Sequence, residues 1–365
     1  MASSTPPPPP NPTLKGHKLL LVLPQVLEST PEAFLKSLFP DLQVDLHIQP
    51  WEGEEISSTP TPTEIWKDVT ILLTTNILPT LEQTPNLQYV QLVSAGAGLV
   101  VNSPLFLDTD IAFCSANGTH GPQIAEWVVS TYLVFEHRIH RYLEFQREGK
   151  WGKISGLVND AVGRRVGILG YGAIGRQTAR VCRALGMEVY AYTNHPRLTP
   201  ESRRDTTYAP EGLGDPDGTL PSKWFSGQSK QELHDFLGSD LDLLVISTPL
   251  TEKTRHLISK PEFDILGKKK TFVSNIGRGP IIDTDALVEA LESDVIRGAA
   301  LDVTDPEPLP EGHPLWTTKN VILTPHVSGN SSAYEKRLFD ILVGNLKLFA
   351  QGKELRNQIS RKDGY

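Results

Sequence analysis

Val166-Gly167-Ile168-Leu169-Gly170-Tyr171-Gly172-Ala173-Ile174-Gly175 is the stretch that decides the fold. Residues 165–169 read as a buried strand, and the apolar spacing of 174–185 predicts a helix. Between them lies a G-x-G-x-x-G in the strand–turn–helix context that gives this pattern its meaning. Gly170 permits the tight turn, Gly172 has no Cβ to hold a pyrophosphate away, and Gly175 lets the helix pack close to the strand. The helix N-terminus then offers unpaired N–H groups and a partial positive charge to phosphates. The stretch predicts a dinucleotide-binding βαβ unit, with Gly170, Gly172 and Gly175 against the cofactor.

Downstream, residues 188–192 read as the second strand of that unit. An acidic residue at its end would bind a ribose 2′-hydroxyl. This chain instead reads Thr193-Asn194-His195-Pro196-Arg197, with Arg203 and Arg204 beyond. No carboxylate stands there to repel a 2′-phosphate. NADPH is therefore favoured over NADH, with Thr193, Asn194 and Arg197 at that end of the cofactor. Residues 196–229 are rich in Pro, Gly, Ser, Thr and Asp without a clear period. They read as a surface insertion or as an excursion over the cofactor edge. Four more apolar runs, 241–247, 271–275, 299–303 and 321–324, predict buried strands.

Upstream, residues 18–23, 44–48, 69–74, 87–93 and 111–114 read as strands, with a short helix over 31–39. Strands alternating with helical stretches imply βαβ units and a parallel sheet. The expected class is α/β, with two Rossmann-like, doubly wound parallel-sheet domains. From residue 122, Ile124, Val128, Tyr132 and Phe135 recur at helical spacing, which predicts one helix running past Arg141. It is either a core helix or a subunit interface, and Gly149, Gly152 and Gly156 break it. Trp151 follows it, either packed in the core or reaching a partner's pocket. A final amphipathic helix spans 334–349. Residues 1–13, with an uninterrupted proline run from Pro6 to Pro10, read as a disordered polyproline leader, or else as a ligand for a proline-reading module.

The chain has 365 residues, enough for two or three domains. Its 35 Lys and Arg against 43 Asp and Glu give a net charge of −8, which argues against nucleic acid as a partner. Cys114 and Cys182 are too few for a disulfide framework or a cysteine zinc cluster. The ten histidines show no metal-ligand spacing, so no metal is expected. No apolar run approaches the roughly 20 residues of a membrane span, so no membrane partner is expected either. A cytoplasmic protein is the resulting expectation.

Three further segments carry chemistry, each just past an apolar strand. They are Ser274-Asn275-Ile276-Gly277-Arg278-Gly279, then Leu301-Asp302-Val303-Thr304-Asp305-Pro306-Glu307-Pro308, then Leu323-Thr324-Pro325-His326-Val327-Ser328-Gly329. Strand carboxyl ends are where open α/β sheets bind ligands. Together with the glycine turn, these motifs resemble the D-isomer-specific 2-hydroxyacid dehydrogenases over nearly all of the chain from about residue 18. Asp302 to Pro310 with His313-Pro314-Leu315 is most similar to the glyoxylate and hydroxypyruvate reductase branch.

The resemblance implies a catalytic set of Arg278, Glu307 and His326 in an interdomain cleft. Arg278 would grip carboxylate and carbonyl oxygens with its planar fork and stabilise a developing alkoxide. His326, with a reference pKa of about 6.5, suits proton donation near neutrality. Glu307 would hold the other ring nitrogen; a Gln there would suit hydride removal from formate. Gly96, Ala97 and Gly98 would bind the substrate carboxylate through backbone N–H groups, although Leu99, Val100 and Val101 stand where the family often has an Asp. Ala173, Ile174, Thr248, Pro249, Thr254, Ile276, Gly277 and Gly329 would contact NADP or NAD, and Asp302 would accept from the carboxamide. The implied domains are 14–117 completed by 329–365, and 118–328. The implied assembly is a homodimer through 122–150. The implied activity is reduction of a small 2-keto acid to the D-2-hydroxy acid. A nucleotide-sensing corepressor on the same fold is the alternative.

Overall fold

The computed structural model describes residues 10–24, 31–52, 55–56, 61–98 and 100–361. The chain divides into two compact units, 1–119 with 332–365, and 120–331.

The first unit is a parallel sheet of β1 (Lys18–Leu23), β2 (Gln43–Ile48), β5 (Ile71–Thr74), β6 (Tyr89–Leu92) and β7 (Ala112–Cys114). β3 (Trp51–Glu52) and β4 (Glu55–Ile56) pair as a small antiparallel ribbon. The spatial order is β2-β1-β5-β6-β7, which reverses beside β1 as in doubly wound sheets. Helices α1 (Pro31–Leu38) and α2 (Pro104–Leu107) lie between strands. The last helix of the chain, α10 (Tyr334–Ala350), returns to this unit. Its buried Leu338, Leu342 and Leu346 pack on Leu19, Leu21, Ile71 and Tyr89. Asn345, fully buried, donates through Nδ2 to Tyr89 Oη and Gln91 Oε1, both at 3.2 Å.

The second unit is a seven-stranded parallel sheet: β8 (Arg165–Leu169), β9 (Glu188–Thr193), β10 (Lys223–Ser226), β11 (Leu243–Ile246), β12 (Phe272–Asn275), β13 (Gly298–Leu301) and β14 (Val321–Leu323). The order β10-β9-β8-β11-β12-β13-β14 puts the switch point between β8 and β11. Both faces are covered, which is why the strands read as unbroken apolar runs. On β11, Leu243 and Val245 face the layer of α3 (Gly121–Glu136) and α5 (Ala173–Ala184). Leu244 and Ile246 face the layer of α7 (Lys230–Leu237), α8 (Lys260–Gly267) and α9 (Thr284–Glu292). Each such fully buried side chain contributes roughly 2 kcal/mol. The amino edge of this sheet is closed by ion pairs: Arg297–Glu136 at 2.9 Å and Arg164–Asp242 at 2.9 Å. Burial pushes the Glu136 carboxyl up, and the Arg297 guanidinium pulls it back.

Three expectations change. The helix predicted from 122 past Arg141 is two helices, α3 and α4 (Ile139–Arg147). Arg138 takes φ 57°, and the N–H groups of His137 and Arg138 bond Leu133 O and Phe135 O, which closes α3. The Arg138 guanidinium then donates to Ser155 O at 2.6 Å, tying down the segment after α4. Second, 196–229 is not irregular throughout. It holds α6 (Pro200–Arg203) and the edge strand β10, which pairs with β9. Sequence periodicity missed β10 because Lys223 is exposed and its other three residues are only partly buried. Third, the leader is anchored before residue 14: Asn11 N–H bonds Ala350 O at 2.7 Å, and Leu14 is fully buried. Residues 1–9, including most of the proline run, lie outside the described residues. Trp151 is 96% exposed within one chain, so it is not a core residue. Among the described residues no helix is long and apolar enough to cross a membrane.

Candidate active site

The strands of the second sheet are parallel, so their carboxyl ends share one edge. That edge carries Gly170 after β8, Thr248 after β11, Arg278 after β12, Asp302 and Glu307 after β13, and His326 after β14.

The glycine turn is packed as the spacing predicts. Gly170 has φ +101°, and a Cβ there would lie 2.8 Å from Thr248 N, at the switch point. A Cβ on Gly175 would strike Gly170 O and lie 2.9 Å from Ile168 Cγ2. A Cβ on Gly172 would meet nothing within 4 Å. Ala173 and Ile174 begin α5, a helix whose first N–H groups have no side-chain cap. These residues fit a bound pyrophosphate.

Arg278 is set by its own turn. Asn275, buried at the end of β12, donates through Nδ2 to Arg278 O at 3.1 Å and accepts from Gly277 N at 3.1 Å. Arg278 Nη1 donates to Gly277 O at 2.7 Å. A Cβ on Gly277 would come 2.8 Å from Thr248 O, and one on Gly279 would overlap Thr304 O. Backbone therefore lies directly on backbone where the Arg278 turn meets the segment carrying Glu307. Gly279 is a site-building residue that motif reading quoted only as the partner of Arg278. Ile276 is buried, with its N–H on Ile246 O.

His326 and Glu307 meet: Nδ1 lies 2.6 Å from Glu307 Oε1, with both side chains part-exposed. The ring is aimed by backbone. His326 takes φ 55°, and its N–H bonds Asp302 O at 2.8 Å. The Asp302 carboxylate, 2% exposed, accepts from Thr324 Oγ1 at 2.6 Å, Val327 N at 2.9 Å, Ser328 Oγ at 2.5 Å and Ser328 N at 3.0 Å. Asp302 thereby holds the loop that bears His326. On the far side, Gly329 O accepts from Gln123 Nε2 at 2.9 Å, so Gly329 is pinned to α3.

Other predicted contacts are used within the chain. Thr254 Oγ1 donates to Pro249 O at 2.8 Å and accepts from Thr251 N at 2.7 Å, so it shapes the turn after Thr248. Thr193 Oγ1 donates to His195 O, and Arg197 Nη1 donates to Ser202 O at 2.6 Å, while Asn194 is exposed. In the first unit, Ser94 Oγ donates to Gly96 O at 2.7 Å. Ala97 O accepts from Val100 N and Val101 N, which closes the turn through Gly98. Among the described residues, nothing accepts from the N–H groups of Gly96, Ala97 and Gly98. Leu99 lies outside the described residues.

Residues 129–212 and 221–328 match the profile of the D-isomer specific 2-hydroxyacid dehydrogenase NAD binding domain. The chain is 33% identical over 245 residues to a glyoxylate reductase of Aeropyrum pernix, covering 65% of this chain and 66% of that one. It is 30% identical over 286 residues to a glyoxylate/hydroxypyruvate reductase A of Arabidopsis thaliana, covering 75% of this chain and 79% of that one. A D-isomer specific 2-hydroxyacid dehydrogenase from Xanthobacter autotrophicus Py2, solved with NADPH and MES, superposes with a TM-score of 0.70 at 25% identity, over 95% of this chain and 99% of that one. The chain belongs to the D-isomer specific 2-hydroxyacid dehydrogenases. It is an NAD(P)-dependent enzyme.

The environment of Asp302 sets a test. Asp302→Asn puts a donor among donors in a buried site, which costs about 2–4 kcal/mol. Urea unfolding should show that loss, and kcat should fall as the His326 loop loosens. Unchanged stability and kcat would remove Asp302 from the support of the His326 loop.

Proposed function

We propose that the enzyme reduces a small 2-keto acid of the glyoxylate or hydroxypyruvate kind to the D-2-hydroxy acid, with His326 as proton donor. The observation that carries this is the 2.6 Å contact of His326 Nδ1 with Glu307 Oε1 at the carboxyl edge of the sheet that also bears Arg278. Relatives named glyoxylate reductase and hydroxypyruvate reductase support the substrate class.

The cofactor is held by the open turn at Gly170, Gly172 and Gly175 and by the N–H groups of Ala173 and Ile174. When bound, its dihydronicotinamide supplies the hydride for the carbonyl carbon. The protein's own work is to bind, polarise and protonate. Glu307 fixes the imidazole through Nδ1, so Nε2 gives the proton to the carbonyl oxygen. Arg278 orients a carboxylate and stabilises the alkoxide as it develops. In the first unit, the N–H groups of Gly96, Ala97 and Gly98 bind the substrate carboxylate. NADPH is the preferred cofactor, since the end of β9 carries no carboxylate and is followed by Arg197, Arg203 and Arg204. A neighbour solved with NADPH supports this. A homodimer forms through 122–150, where α4 leaves Ile139, Tyr142 and Leu143 exposed.

His326→Ala should lower kcat by roughly 10²–10⁴. The KM for the dinucleotide should stay within about twofold, because the ring acts on the carbonyl oxygen. A variant with the wild-type kcat would remove His326 from the chemistry. With glyoxylate and hydroxypyruvate as substrates, kcat/KM should be higher with NADPH than with NADH; a tenfold preference for NADH would end the cofactor assignment. Sedimentation should show a dimer that Leu143→Glu converts to monomer, and a monomeric wild type would exclude that interface.

A further inference from the structure

The segment that looked like an insertion is bolted to the phosphate-binding helix. Arg176, in the first turn of α5, is 5% exposed; its Nη1 donates to Asp215 O at 2.5 Å and its Nη2 to Arg203 O at 2.7 Å. Its Nε lies 3.2 Å from Asp205 Oδ2. Asp215, 4% exposed, accepts through Oδ2 from Tyr171 Oη at 2.7 Å and from Leu220 N at 3.1 Å, and through Oδ1 from Thr219 N at 2.9 Å. Gln177 Oε1, also on α5, accepts from Gly214 N at 2.7 Å. Burial beside the Asp215 carboxylate pushes the Tyr171 phenol far above its usual value, so its hydroxyl stays a donor.

The brace reaches the arginines beyond β9. Arg176 holds the Arg203 carbonyl, Arg203 Nε donates to Arg197 O at 2.9 Å, and the Arg203 guanidinium lies over the Trp224 ring. Buried charge is a poor source of stability, and its return is a defined geometry. The phosphate-binding turn has separate support, because Gly170 is packed on Ser247 and Thr248 of the neighbouring strand end. Loosening the brace should therefore move the arginine segment and leave the turn in place. The family profile is interrupted at residues 213–220, where Asp215 lies, so the brace draws on sequence outside the matched pattern.

We propose that Asp215 and Arg176 are positioning residues for recognition of a 2′-phosphorylated adenosine, holding residues 197–204 at the 2′ end while touching no nucleotide themselves. This rests on the NADPH assignment. The test is calorimetric titration of the full chain with 2′,5′-ADP and with 5′-AMP, for the wild type, Asp215→Asn and the gentler Tyr171→Phe. The wild type should prefer 2′,5′-ADP by at least about tenfold. Both variants should lose at least about fivefold of that preference, with the Kd for 5′-AMP within about twofold. Full preference retained in a folded Tyr171→Phe, or equal weakening of both ligands, overturns the proposal alone. A wild type indifferent to the 2′-phosphate overturns the cofactor assignment, and the proposal with it.

Discussion

Backbone lies on backbone along the carboxyl edge of the second sheet, and the site is assembled from those contacts. Gly170 sits on Ser247 and Thr248, Gly277 on Thr248, and Gly279 on Thr304 and Asp305. Any side chain at these points would push apart two loops that must be adjacent. The glycines thus pass the regular spacing of a parallel sheet on to the loops above it. A dinucleotide turn, a guanidinium and a histidine–carboxylate pair then fall along one line of strand ends.

Buried carboxylates do a second kind of work at that edge. Asp302 gathers the N–H and hydroxyl donors of residues 324–328, which lets His326 adopt a left-handed backbone and present its ring to Glu307. Asp215 gathers donors in the same way at the other end of the site, around Tyr171 and residues 219–220. In both places a buried carboxylate fixes the loop that wraps around it. Such groups are costly to bury alone and are kept because every lone pair is met.

Much of this was legible in the residues. Covered parallel strands must be apolar on both faces, so β8, β11, β12 and β13 stand out as runs. The glycine turn has a spacing dictated by steric contact, so its place and its ligand class could be read together. Arg278, Glu307 and His326 each follow a strand, and strand ends are where such sheets bind ligands. Other features were not legible. The part-exposed β10 leaves no apolar run, and the break at Arg138 rests on one residue with φ 57° inside a pattern that is helical on both sides.

The sequence by itself determined the two parallel sheets and the dinucleotide turn, because local periodicity and steric spacing are properties of neighbouring residues. Only the tertiary structure decided what Asp302, Asp215, Arg176 and Gly279 are for. Asp302 meets Thr324 across 22 residues, Asp215 meets Tyr171 across 44 and Arg176 meets Arg203 across 27, and a hydrogen-bond acceptor or a missing Cβ acquires its meaning from whatever the folded chain places against it.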